Sequence, residues 1–143
     1  MPLIKLTPSE IEEGLQAVEK LAEHNIKGFR LKVASNLQTL RAAKRMVEGI
    51  RMELQEKHYM RDDNGDPVEA MSPEGTPTGS FRIEDPYVFT EALRDLRNES
   101  VDVQIYRIPH DKLKTAKSIP ALAFWPPMII GELEEDDEPE IED

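Results

Sequence analysis

The apolar residues Ile11, Leu15, Val18 and Ala22 recur at spacings of four, three and four, which places them on one face of a helix. Thr7-Pro8-Ser9-Glu10 stands just before that stripe. Thr7 can cap the first turn, Pro8 suits the first helical position and Glu10 can complete a capping box. Asn25-Ile26-Lys27-Gly28 closes the segment with residues that tolerate the left-handed conformation at helix ends. The pattern predicts a first helix from about Pro8 to about Asn25.

A second stripe follows, through Phe29, Val33, Leu37, Leu40, Ala43, Val47, Ile50 and Leu54, and no proline interrupts Gly28 to Tyr59. A helix of that extent is about 45 Å long. Two amphipathic helices joined by a short glycine-containing link fold back on each other, so an antiparallel helical hairpin is expected.

Beyond it the spacing changes. Asp62-Asp63-Asn64-Gly65-Asp66-Pro67 reads as a turn, and Met71 to Ser80, with Pro73, Gly75, Pro77 and Gly79, reads as an exposed, mobile loop that sustains neither helix nor central strand. Phe81-Arg82-Ile83 is a short strand, and Asp85-Pro86 caps a third helix carrying Phe89, Leu93 and Leu96. Val101-Asp102-Val103-Gln104-Ile105 alternates strictly and is the clearest strand, with a shift at Tyr106-Arg107-Ile108 that suggests a bulge. Ser118-Ile119-Pro120-Ala121 starts a short helix that Pro126-Pro127 ends or bends. These elements predict an α+β fold, with the hairpin, the third helix and a small antiparallel sheet formed by the Phe81 and Val101 segments.

Length and charge then set the organisation. A chain of 143 residues suits one domain with a buried core, expected over 1–131. The net charge is −11, yet Glu132 to Asp143 alone holds nine acids and no base, which leaves 20 acids against 18 bases in the body. The acidity is a property of the tail, and such like-charge blocks are usually solvated and disordered. Cysteine is absent, which removes disulfides, thiolate metal sites and thiol nucleophiles. The start of the chain lacks the apolar core of a secretory signal, and no apolar run approaches the length of a membrane span. The expectation is a soluble, cytoplasmic protein.

Several stretches together carry a resemblance. They are the basic amphipathic helix closing in Glu56-Lys57-His58-Tyr59, the acidic turn Asp62 to Asp66, the short helix Pro86 to Arg97, the strand Val101 to Ile105, and the apolar segment Ile119 to Glu132 closing in Ile129-Ile130-Gly131-Glu132. In that order they resemble the small tailed-phage proteins grouped as DUF1617-like. The Met71 to Ser80 loop and the acid tail depart from that pattern. The resemblance implies a phage or prophage origin, hence the cytoplasm of a host cell, and supplies neither an activity nor catalytic residues. In size and character the chain is also similar to small phage proteins that bind host RNA polymerase.

The chemistry-bearing residues form no enzymatic constellation. His24, His58 and His110 sit in separate segments without a metal-ligand spacing. Asp62-x-Asn64-x-Asp66 begins like a calcium loop, but prolines stand where that loop needs its glycine and its final glutamate. Gly75 to Ser80 is one residue short of a phosphate loop and lacks its lysine, and no Gly-x-Ser-x-Gly elbow exists. No catalytic, metal or cofactor site is assigned, and the chain is read as non-enzymatic.

The informative feature is the second helix. Lys27 to Arg61 holds nine bases against Glu48, Glu53 and Glu56, and helical phase groups Lys27, Arg30, Arg41 and Arg45 within roughly 60°. This ridge either engages a partner, nucleic-acid phosphates or an acidic protein face, or is a solvated face balanced by Glu12, Glu13 and Glu19. Trp125, the sole tryptophan, either plugs the end of the helix pair or anchors a partner from an exposed apolar segment. The expected function is binding of a host or phage protein through Lys27, Arg30, Arg41, Arg45 and Trp125, with the host transcription machinery the first specific choice. The alternatives are a virion structural or assembly role and nucleic-acid binding through the basic helix.

Overall fold

The computed structural model describes residues 3–24, 26–115 and 125–130. Along the chain run β1 (Leu3–Leu6), α1 (Pro8–Ala22), α2 (Arg30–Lys57), β2 (Glu69–Met71), β3 (Pro77–Phe81), α3 (Pro86–Asn98), β4 (Val101–Gln104), β5 (Ile108–Pro109), α4 (His110–Thr115) and β6 (Ile129–Ile130). A 3₁₀ turn over Pro126–Met128 precedes β6. The fold is α+β, as the patterning predicts, and no helix among the described residues is long and apolar enough to cross a membrane.

The two long helices form where their stripes and caps place them. Thr7 Oγ1 accepts the Glu10 N–H at 3.3 Å while the Glu10 carboxylate accepts the Thr7 N–H at 2.9 Å, a complete capping box. α1 stops at Ala22, short of the expected Asn25, which lies outside the described residues. α2 begins at Arg30, because Gly28 turns left-handed at φ 85° just before it. Glu19 of α1 meets Arg41 of α2 at 3.9 Å, and Glu12 meets Lys44 at 3.2 Å. The contacts descend one helix while they climb the other, as an antiparallel pair requires.

Where the sequence reads as a single domain, the structure divides into two compact units. Unit 1 comprises Met1–Arg45 with Ser100–Asp143, and unit 2 comprises Met46–Glu99. The apolar stripe runs through α2 without a break at residue 45, so the sequence carries no mark of this boundary.

Unit 1 holds nearly the whole core. Leu15, Val18, Leu21, Val33, Leu40, Val103, Ile105, Ile108, Leu113 and Met128 are all buried there. β1 pairs antiparallel with β4, from Leu3 opposite Gln104 to Leu6 opposite Val101. Both strands alternate in phase, so Leu6 and Val103 point inward while Lys5 and Asp102 meet outside at 3.1 Å. The expected pairing of the Val101 and Phe81 segments is therefore corrected: the terminal Leu-Ile-Lys-Leu run is the partner of β4. A short parallel pair of β5 with β6 completes the unit. The expected helix at Ser118–Ala121 and the acid tail 132–143 lie outside the described residues. Leu40 is fully buried, so Leu40→Ala should lower unfolding stability by roughly 2 to 5 kcal/mol in a denaturant titration.

Unit 2 corrects the loop expectation. Met71 to Ser80 forms the end of a hairpin in which β2 pairs antiparallel with β3 through a register shift. Two turns of the same design make this possible. In Asp62–Asp66 the first residue's N–H donates to the fifth carbonyl and the Gly65 N–H donates to the first carbonyl; Ser72–Thr76, with Gly75, repeats both bonds. The Asp62 carboxylate and the Ser72 hydroxyl each accept the N–H of the fifth residue, at 3.0 and 3.2 Å. Gly65 and Gly75 adopt φ near 85°, which side-chain-bearing residues resist. Proline and glycine thus build the hairpin turn rather than forbid strands.

The three extended segments close on one another at a single level. Met60 N–H donates to Arg82 C=O, Arg82 N–H to Val68 C=O, and Val68 N–H to Met60 C=O. Asp85 then caps α3 by accepting the Tyr87 and Val88 N–H groups, as expected.

Candidate interaction surfaces

The ridge on α2 is only partly as helical phase implies. Lys27 lies in the turn ahead of α2, so its position is not governed by helix periodicity and it does not belong to the ridge by phase. Arg30, Arg41 and Arg45 do share a sector of the helix and are exposed, but Arg30 and Arg41 are eleven residues apart, about 16 Å along the axis. Arg41 is matched by Glu19, and the neighbouring Lys44 by Glu12. Such exposed pairs contribute about 0 to 1 kcal/mol each, so they leave the cations free to exchange partners. Among the described residues, Lys27, Arg30 and Arg45 make no ion pair. Lys32 instead lies over the Phe29 ring at 5.3 Å and the Tyr106 ring at 5.8 Å, a cation held by aromatic faces.

Trp125 resolves to core. It is only 5% exposed, and its six-membered ring lies over Gly14 in α1, where an added Cβ would stand 2.5 Å from two ring carbons. It is not an exposed anchor. A glycine inside a helix costs about 1 kcal/mol relative to alanine, and the slot it leaves for the indole is the reason it stands there. Gly14 is thus a residue that spacing alone passes over, although a glycine inside an otherwise regular helical stripe is itself a signal.

Asn36 is the second such residue. It is the one buried polar side chain among the described residues. Its Oδ1 accepts the Tyr106 N–H at 2.8 Å and its amide nitrogen donates to the Tyr106 carbonyl at 3.0 Å. The irregularity expected at Tyr106-Arg107-Ile108 is explained this way: between β4 and β5, a side chain of α2 takes the place of a neighbouring strand. Asn36 sits in register with Val33, Leu40 and Ala43, and a polar residue in that phase is the trace it leaves in the sequence.

The strongest surface feature lies in unit 2, which sequence reasoning did not single out. On α2, Met46, Ile50 and Met52 are exposed although two of them continue the apolar stripe or its flank. In the hairpin Met71 is 58% exposed, and Phe81 is partly so while its ring meets Tyr59 at 5.0 Å. On the first turn of α3, Tyr87 is 76% exposed beside Val88. In unit 1 the described residues include only Leu3 and Leu31 as exposed large apolar side chains.

Charge divides along the same line. Residues 46–99 carry 13 acids and 6 bases, a net −7, whereas 1–45 with 100–131 carries 7 acids and 12 bases, a net +5. The near-neutral body seen in the sequence is thus a basic part, 1–45 with 100–131, and an acidic part, 46–99; with the nine acids of 132–143 counted, unit 1 as a whole carries −4. No family model, curated protein or solved structure matches this chain.

Proposed function

We propose that this is a non-enzymatic, phage-type accessory protein that binds a host or phage protein, and that unit 2 is the docking surface. The observation that supports it is the concentration of exposed methionine and aromatic side chains on residues 46–99. These residue types are enriched in protein interfaces relative to the rest of a protein surface. A regulator of the host transcription machinery and a virion assembly factor both fit such a surface. They differ in what co-purifies: RNA polymerase in the first case, capsid or tail proteins in the second.

The test compares tagged full-length protein with a Tyr87→Ser variant, each recovered from phage-infected cells. Tyr87 is exposed on a helix surface, so the variant should keep its melting behaviour. Its loss should reduce partner recovery roughly tenfold, the scale of an aromatic anchor. Equal recovery would remove unit 2 as the interface.

The ridge supports a second reading, nucleic-acid binding, favoured by the three cations without ion pairs. If Arg30 and Arg45 bind phosphates, each change to Ser should lower the salt slope of duplex DNA affinity by about one unit. No binding by the wild-type protein at low salt would eliminate this reading.

A further inference from the structure

Resting on that reading of unit 2, we infer that its partner presents a cationic amphipathic segment, with lysine or arginine interleaved among bulky apolar side chains. The argument is the way acids and exposed apolar residues alternate. On α2, Met52 lies one turn from Glu48 and one turn from Glu56, so the three share a face. In the hairpin Phe81 pairs directly with Glu69. On α3 and its approach, Tyr87 follows Glu84 by three residues and precedes Glu91 by four.

Six cations stand against 13 acids in the unit, and two of the six are matched by acids of their own helix. Arg51 pairs with Glu48 at 2.7 Å, and Arg94 with Glu91 at 2.9 Å. Arg61 donates to the Gly65 and Glu56 carbonyls, closing the end of α2 onto the first turn. By contrast Glu53, Glu56, Glu69 and Glu84 make no ion pair among the described residues. The surface therefore offers unmatched negative charge beside exposed methionine and aromatic groups.

That combination fits one partner chemistry. Apolar side chains of the incoming segment bury against methionines, whose flexible thioethers conform to varied shapes. Its cations meet the flanking carboxylates, which steer the encounter and fix its register. A nucleic acid or an acidic protein face is repelled by a net −7 unit.

The experiment titrates full-length protein against a labelled amphipathic peptide of Leu, Lys and Trp, and against its counterpart with Glu in place of Lys, across a salt series. The Lys peptide should bind and the Glu peptide should not. Tyr87→Ser and Met52→Ser should each weaken binding roughly tenfold. The triple variant Glu56→Gln, Glu69→Gln, Glu84→Gln should weaken it about fivefold and flatten its salt dependence. A peptide captured by the acid run Glu132–Asp143 is indifferent to all of these substitutions, and that indifference overturns the inference. So does equal binding of both peptides, binding of neither, or self-association of the protein that Tyr87→Ser abolishes. If the peptides fail but Tyr87→Ser still loses the partner from cells, the interface stands and its cationic partner falls. If Tyr87→Ser changes nothing in either setting, both fall together.

Discussion

Gly14→Ala should destabilise the protein by about 2 to 4 kcal/mol, although alanine is the better helix former. The intrinsic gain is about 1 kcal/mol. Against it, the new methyl carbon would stand 2.5 Å from the Trp125 ring, a separation at which the indole or the α1 backbone must move. Expelling the ring forfeits burial of a residue whose truncation typically costs 3 to 5 kcal/mol, and a partial shift leaves the strain of overpacking. The background decides the sign. In a Trp125→Ala protein the obstacle is gone, so Gly14→Ala should become stabilising by about 0.5 to 1 kcal/mol. Because Trp125 is the sole tryptophan, its fluorescence reports displacement directly, with a red shift expected in the single variant. Urea titrations of the four proteins test the cycle, and additivity of the two changes would refute the contact.

Asn36→Leu should cost about 2 to 5 kcal/mol despite preserving volume and adding apolar surface. The substitution removes both bonds to Tyr106, at 2.8 and 3.0 Å, and leaves that residue's N–H and carbonyl without them in a site where Asn36 itself is fully buried. Each orphaned backbone group carries a desolvation penalty of about 1 to 3 kcal/mol. Amide exchange supplies the specific readout: the Tyr106 N–H should lose protection far beyond the global loss of stability. Unchanged protection at Tyr106 would show that another group satisfies it.

These two residues show what spacing can and cannot carry. Helix start and composition are local matters, settled within a turn or two of chain. Thr7 with Glu10, Asp85 ahead of α3, and the stripes through Ile11, Leu15 and Val18 and through Val33, Leu40 and Ala43 are legible, whereas the first stripe continues in Leu21, which is buried, rather than in the expected Ala22, which is exposed. The basic character of α2 was legible too, and Arg30, Arg41 and Arg45 do share a sector. Lys27 falls off the ridge because helical phase does not carry through Gly28, where the backbone turns left-handed ahead of α2. The glycines and prolines of Met71 to Ser80 read as breakers by composition, but in a five-residue hairpin turn such residues suit the geometry.

The sequence by itself determined the three main helices, the caps of α1 and α3, the β4 alternation, the charged tail composition and the want of cysteine chemistry, because each follows from neighbours along the chain. The tertiary structure alone decided which strand β4 would pair with, that Gly14 would receive an indole, that Asn36 would stand in for a strand, and where the apolar stripe of α2 would stop being covered. Those choices depend on segments distant in sequence meeting with complementary shape and hydrogen-bonding groups, and no period in the sequence encodes such a meeting. The same reason governs the candidate interface. Met46 and Ile50 look like Val33 and Leu40 in the sequence, yet among the described residues the first two are exposed and the second two buried.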